Sequence, residues 1–151
     1  MPIARDDIIS ALLPDEPNYE AAAQYLGPEE APVLADLAES DNVGLASKAA
    51  SMARFLPADS ARAILQRAAA HHDPVVRVAA AASLERQPEL AEELAGQLLA
   101  DPDAGVRKWT LRSLQAVRLA GWRNQVKALA ATEQVPFLQE LAREVLRQLP
   151  P

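Results

Sequence analysis

The residues that could do chemistry in this chain are few, and their spacing argues against a metal site. The 151 residues include two histidines and no cysteine, which removes disulfides, thiolate nucleophiles and cysteine-ligated zinc. The histidines are neighbours, His71 and His72. Adjacent side chains on a helix point about 100° apart, so these two could share one metal ion only across a distorted turn. We therefore predict no metal ion and no cofactor.

The carboxylates do not predict catalysis either. Two pairs of acids are adjacent in the sequence, Glu29 with Glu30 and Glu92 with Glu93. The simplest interpretation is that they lie on the solvated surface of helices. The chain has no glycine-rich phosphate loop, no Gly-x-Ser-x-Gly elbow and no His-Glu-x-x-His motif. The sequence thus predicts a protein that is not an enzyme.

Composition favours a helical, cytoplasmic protein. Hydrophobic residues make up 50% of the chain but aromatic residues only 4%, and most of the apolar residues are alanine and leucine, which favour helices over strands. No stretch approaches the roughly 18 apolar residues of a membrane helix, and the first residues include acids where a secretory signal has a basic start. We expect one domain over residues 1–151, a monomer with no membrane partner.

Charge bears on the choice of partner. The net charge of -6 disfavours nucleic acid, whose binding proteins usually present a basic surface to phosphates. Residues 1–75 hold 5 basic and 12 acidic side chains, whereas residues 76–151 hold 10 and 9. A basic strip in the second half could attract an acidic partner, although an unevenly charged solvated surface explains the same asymmetry.

Two segments 30 residues apart share one pattern. They read Asp73-Pro-Val-Val-Arg-Val-Ala-Ala-Ala-Ala-Ser-Leu84 and Asp103-Ala-Gly-Val-Arg-Lys-Trp-Thr-Leu-Arg-Ser-Leu114. Apolar or small residues at i, i+4, i+7 and i+8 mark one face of a helix, which predicts helices over 76–86 and 106–117. Fainter copies begin near Asp41 and Leu138. Helical stripes also mark the segments that lie between these helices, at 32–40, 60–71, 88–100 and 122–132. The repeating unit is therefore predicted to be a helix pair. Prolines mark the boundaries, and Asp59, Asp73 and Asp103 are predicted N-caps.

The pattern Asp-x-x-Val-Arg-x-x-Ala/Thr-x-x-x-Leu resembles the second helix of HEAT repeats, especially the short bacterial type first noted in phycobilisome bilin lyases. The resemblance implies an all-α, α-α superhelix, a short HEAT-like solenoid of about four helix pairs. The pairs would occupy 28–57, 58–87, 88–119 and 120–149, after N-terminal cap helices within 1–27. Such families commonly form Asp/Arg ladders between repeats, which implies that role for Asp73, Arg77, Asp103 and Arg107, with ligand contact as the alternative.

Rotation by about 100° per residue gives the side chains opposite the core of each second helix. The resemblance places these helices on the concave side of a solenoid, which predicts a partner-binding face there. In the two central repeats the predicted contact residues are Val78, Ala81, Ala82, Lys108, Leu111, Arg112 and Gln115. Trp109, at the edge of the core stripe, is either a packing residue or an exposed anchor, and beside Lys108 and Arg112 it has the composition of a hot spot.

These observations favour a non-enzymatic module for protein–protein interaction, an adaptor, assembly factor or regulator that binds a segment of another protein. Two alternatives rest on fold analogy. One is a tetrapyrrole-handling subunit like the bilin lyases. The other, disfavoured by the net acidity, is a DNA-binding protein like the HEAT-like DNA glycosylases, which hold damaged duplex in a basic groove.

Overall fold

A computed structural model describes residues 2–151, and the regular structure in that range is entirely helical. The ten α-helices are α1 (Arg5–Leu12), α2 (Tyr19–Ala23), α3 (Ala31–Ala38), α4 (Val43–Ala53), α5 (Ala58–Ala69), α6 (Pro74–Ser83), α7 (Pro88–Leu99), α8 (Ala104–Val117), α9 (Arg123–Thr132) and α10 (Pro136–Gln148). Single 3-10 turns lie at Leu84–Arg86 and Ala120–Trp122. With no strand among the described residues, the all-α prediction is confirmed. None of the described helices is long and apolar enough to cross a membrane.

The helix starts follow local chemistry. Proline occupies the first turn of α3, α7 and α10, where its missing N–H costs no helical hydrogen bond. Asn42 and Asp103 cap α4 and α8, and their side chains accept hydrogen bonds from the backbone N–H of Leu45 and Val106, each at 3.1 Å. Asp59 is not a cap as predicted, because α5 begins one residue before it.

The chain divides into two compact units, the first ending at Ala80 and the second beginning at Ala81, within α6. In the first unit, α3 packs against α4 and α5, α4 packs against α5, and the short helices α1 and α2 contact α4. In the second unit, α7 packs against α8, and α10 packs against both α8 and α9. The prediction of a single domain stays a prediction.

The first unit has a core of leucines and isoleucines against an alanine-rich helix. Leu34 and Leu37 of α3 and Ile64 and Leu65 of α5 are almost completely buried. The buried face of α4 is mostly alanine (Ala46, Ala49, Ala50 and Ala53), so neighbouring helices can approach it closely. Toward the N-terminus, Lys48 Nζ of α4 donates to the carbonyl oxygens of Leu13 and Pro14, at 3.3 and 2.8 Å, and thereby holds the end of α1.

The second unit has its own core, formed by α7, α8, α9 and α10. Its members include Leu111, Leu114, Val126, Leu138, Leu141 and Val145, with Trp122 packed against them. A Cβ at Gly96 of α7 would lie 3.4 Å from the Trp122 ring, an ordinary van der Waals distance. The indole therefore packs directly over this part of α7.

Candidate interaction surface

Arg77 and Arg107 make the same local contacts in the two central repeats. Arg77 Nη1 donates to the carbonyl oxygens of His71 and His72, at 2.9 and 3.0 Å. Arg107 Nη1 donates to those of Asp101 and Pro102, both at 3.0 Å. In each case the guanidinium binds carbonyl groups of the turn just before its own helix. The two arginines therefore close the turn between the helices of a pair.

Arg107 also forms a buried ion pair with Glu133. Its Nε and Nη2 donate to the two carboxylate oxygens at 2.8 and 2.9 Å, and the side chains of Arg107 and Glu133 are only 16% and 2% exposed. The hydrogen bond from Arg107 is the main cause of a lowered pKa at Glu133. Burial of the carboxylate acts in the opposite direction, and the hydrogen bond from the backbone N–H of Val135 lowers the pKa further. The same bond raises the pKa of Arg107. The pair thus joins α8 to the turn before α10.

The ladder between repeats that the resemblance implies stays a prediction, and the two aspartates assigned to it accept hydrogen bonds from backbone groups at the starts of α6 and α8. The side chain of Asp103 caps α8, and that of Asp73 accepts from the backbone N–H of Val75 at 2.9 Å. The acid that binds the Arg107 guanidinium is Glu133, which the sequence analysis did not single out. The sequence did offer one signal for Glu133, because this acid lies two residues before Val135-Pro136, where α10 begins.

His71 is buried and uses both ring nitrogens. Its Nε2 lies 2.8 Å from the carbonyl oxygen of Ser40, and its Nδ1 accepts the backbone N–H of Asp73 at 3.0 Å. A neutral ring with its proton on Nε2 satisfies both contacts. The His72 ring lies against it with centroids 4.4 Å apart. Among the described residues, no group of three or more His, Cys, Asp or Glu side chains could hold a metal ion.

Replacing His71 with alanine is expected to lower the free energy of unfolding by about 2 kcal/mol, because two partly buried backbone groups lose their hydrogen-bond partner. His72→Ala is the matched control, since the His72 side chain is exposed, and we expect it to change stability by less than about 0.5 kcal/mol. Urea denaturation followed by circular dichroism measures both. Equal effects of the two substitutions would contradict this role of His71.

The predicted partner-contact residues divide between surface and core. On α8, Trp109 and Arg112 are exposed, and Lys108 and Gln115 are half-buried. Val78 and Ala82 of α6 are likewise half-buried. Ala81 and Leu111, however, have no exposed surface, so the prediction that they lie on an exposed face is wrong.

The two errors have a physical explanation. The prediction assumed that α8 buries one apolar stripe. Because α8 packs against both α7 and α10, it buries a wider face than that. Leu111 fills the side toward α10, in the same cluster as Leu138 and Leu141. Ala81 lies against α8, where the Ser113 hydroxyl donates to the Ala81 carbonyl oxygen at 2.6 Å.

The exposed side chains of α8 meet an aromatic residue that the sequence analysis missed. Lys108 Nζ lies 5.3 Å from the ring centroid of Trp109 and 5.8 Å from that of Phe137, within the range of cation–π attraction. Trp109 is 40% exposed and Phe137, in the first turn of α10, is 55% exposed. Phe137 could have been noticed as an aromatic residue beside, not on, the apolar stripe that begins at Leu138. We call Lys108, Trp109, Arg112 and Phe137 the aromatic-basic ridge.

The two cations of the ridge have no acidic partner among the residues that the structure describes. Among the described residues, no carboxylate lies within ion-pair distance of Lys108 or Arg112; Arg112 Nη1 has only a long 3.4 Å contact with the Gln115 side chain. Farther along, Gln115 donates to Gln148 of α10 at 2.7 Å. The exposed sides of α8 and α10 therefore run next to each other, with aromatic and basic groups at one end and amides at the other.

Comparison with known proteins adds no family or relative. No protein-family model matches the chain, and a search of curated proteins finds no match. The functional interpretation therefore depends on the geometry of the chain itself.

Proposed function

We propose that this protein is a non-enzymatic interaction module of the HEAT-like type, whose aromatic-basic ridge binds an acidic, partly apolar segment of another protein. The observation that carries the proposal is the group of two exposed rings around Lys108, with Arg112 one turn away. Within residues 2–151 no acid forms an ion pair with either cation. Tryptophan and arginine dominate the energetics of many protein interfaces. Two uncompensated cations favour a partner with carboxylates and accelerate its encounter.

Two features support the HEAT-like part of the proposal. The first is the recurrence of one arginine geometry at Arg77 and Arg107, 30 residues apart. The second is the packing between corresponding helices of successive pairs, α3 on α5 in the first unit and α8 on α10 in the second. Repeats that bury their apolar faces on their neighbours pack in this way.

The test uses a synthetic amphipathic peptide of glutamate and leucine with one phenylalanine. We expect the double variant Trp109→Ala with Arg112→Glu to weaken binding of this peptide at least 30-fold, because each ridge residue is a candidate hot spot worth about 2 kcal/mol. Fluorescence anisotropy of the labelled peptide measures the affinity. Circular dichroism should remain that of the parent protein, since neither side chain belongs to the core.

Lys127→Glu provides the matched control. It changes the sign of one exposed charge on α9, as Arg112→Glu does on α8, and we expect it to change the affinity less than twofold. A folded double variant that binds as tightly as the parent protein would rule out the ridge as the binding site. Affinity purification with the parent and double-variant proteins, followed by mass spectrometry, would then identify natural partners by their dependence on the ridge.

A further inference from the structure

A second candidate surface lies in the first unit and includes no residue of the ridge. A pocket of about 190 Å³ opens among α1, α2 and α4, which is several times the roughly 30 Å³ occupied by one water molecule. Buried Ile8 and Met52 line it together with Ile3, Leu26 and Tyr25. The pocket has the size and the apolar lining to receive one leucine or phenylalanine side chain.

The pocket is held in shape by a buried carboxylate. Glu30 accepts hydrogen bonds from the backbone N–H groups of Ile3, at 3.0 Å, and Gly27, at 2.9 Å. These bonds lower the pKa of Glu30, so it is ionised at neutral pH. By binding both segments, Glu30 fixes the chain around Ile3 beside the loop that follows α2. The rim is open, because Tyr25 remains 75% exposed.

The surroundings of the pocket are strongly acidic. Residues 1–30 contain seven acids and a single base, Arg5, a net charge of -6 that equals that of the whole chain. Asp7 itself lines the pocket, and Asp6 and Asp7 are both exposed. An apolar cavity with one aspartate in its lining, formed mostly by an acidic segment of the chain, is complementary to an apolar side chain with basic neighbours.

We infer that this pocket is a second docking site, whose occupant is a basic amphipathic segment of a partner protein. The segment inserts one leucine- or phenylalanine-sized side chain between α1 and α2 and places a lysine or arginine beside Asp7. Its charge preference is opposite to that of the aromatic-basic ridge. The inference does not depend on the function proposed for the ridge.

The experiment uses a synthetic amphipathic peptide of lysine and leucine with one phenylalanine, and two comparison peptides. One replaces every apolar residue with serine at unchanged charge, and the other replaces every lysine with glutamate. Amide chemical shifts of the labelled protein locate the binding site, and anisotropy gives the affinity. We expect the lysine peptide to shift residues of α1 and α2. We expect Asp7→Lys and the pocket-filling Ala22→Leu each to weaken its binding at least tenfold.

Glu92→Lys is the matched control, because it makes the same charge change at an exposed position of α7; its affinity should stay within twofold of the parent protein. Equal weakening by Asp7→Lys and Glu92→Lys would overturn the inference in favour of general attraction to an acidic protein. Undiminished binding of the serine peptide, or shifts confined to α8 and α10, would also overturn it. So would self-association in sedimentation that Ala22→Leu abolishes, because the occupant would then be a second copy of this chain.

Discussion

Alanine in place of Arg107 is expected to lower the free energy of unfolding by about 3–5 kcal/mol, as for other buried ion pairs that lose one partner. The substitution leaves the Glu133 carboxylate, only 2% exposed, without its counter-ion. It also removes the hydrogen bonds to the Asp101 and Pro102 carbonyl groups. Urea denaturation at neutral pH measures the change.

Arg112→Ala is the control for Arg107→Ala. Arg112 lies on the same helix but is exposed and makes no ion pair in the described chain, so its loss should cost less than about 0.5 kcal/mol. The variant Arg107→Met with Glu133→Leu should recover much of the stability, because apolar replacement of both partners removes the unpaired charge. Comparable losses for Arg107→Ala and Arg112→Ala would contradict the importance of the pair.

The pair also predicts the pH dependence of stability. The folded protein lowers the pKa of Glu133 below its ordinary value, so the unfolded chain takes up the proton first as the pH falls. The contribution of Glu133 is therefore complete above the unfolded pKa of about 4.3 and is lost as the pH falls from there through the lower folded pKa. In Glu133→Gln this part of the acid-induced loss of stability should be missing, and urea midpoints of the two proteins between pH 3 and pH 7 would reveal the difference.

Leu111→Ala is expected to cost about 2–5 kcal/mol, the range for leucine truncation in a packed core. Leu111 has no exposed surface and belongs to the cluster formed with Leu138, Leu141 and Val145. The truncation leaves a cavity between α8 and α10. Denaturation by urea, with the slope of the transition as a check for two-state behaviour, measures the loss.

Gln115→Ala is the comparison for Leu111→Ala, since Gln115 lies one turn farther along α8 and is half-buried at the surface. It loses only the side-chain bond to Gln148, so about 1 kcal/mol or less is expected. A Leu111→Ala protein as stable as the parent, with weakened binding of the acidic peptide, would show that Leu111 belongs to the interaction surface as the sequence predicts.

The helices were predictable from the sequence because their signals are local. Proline as the first residue of α7 and α10, the cap at Asp103 and the apolar spacing after Val106 all act within one or two turns. The recurrence of arginine at positions 77 and 107 predicted a ladder between repeats, but the contact of each side chain with the turn before its helix was not predicted.

The candidate site was only partly predictable, because it depends on which helices become neighbours. The exposure of Arg112 follows from the period of α8 alone, whereas the sequence left Trp109 as either a packing residue or an exposed anchor. The burial of Leu111 and the approach of Phe137 to Lys108 depend on α10 lying beside α8. The spacing of apolar residues within α8 cannot predict which helix becomes its neighbour. Glu133 was missed for the same reason, since its partner is 26 residues away in the chain.

The position of Lys108 between two rings affects the thermodynamics of recognition. A free lysine on a surface loses about 0.5–1.5 kcal/mol of conformational entropy when a partner immobilises it. Here the indole of Trp109 and the phenyl ring of Phe137 already restrict the ammonium group before any partner arrives. Folding itself therefore restricts Lys108, so a carboxylate of the proposed partner would meet a preorganised cation rather than a flexible one.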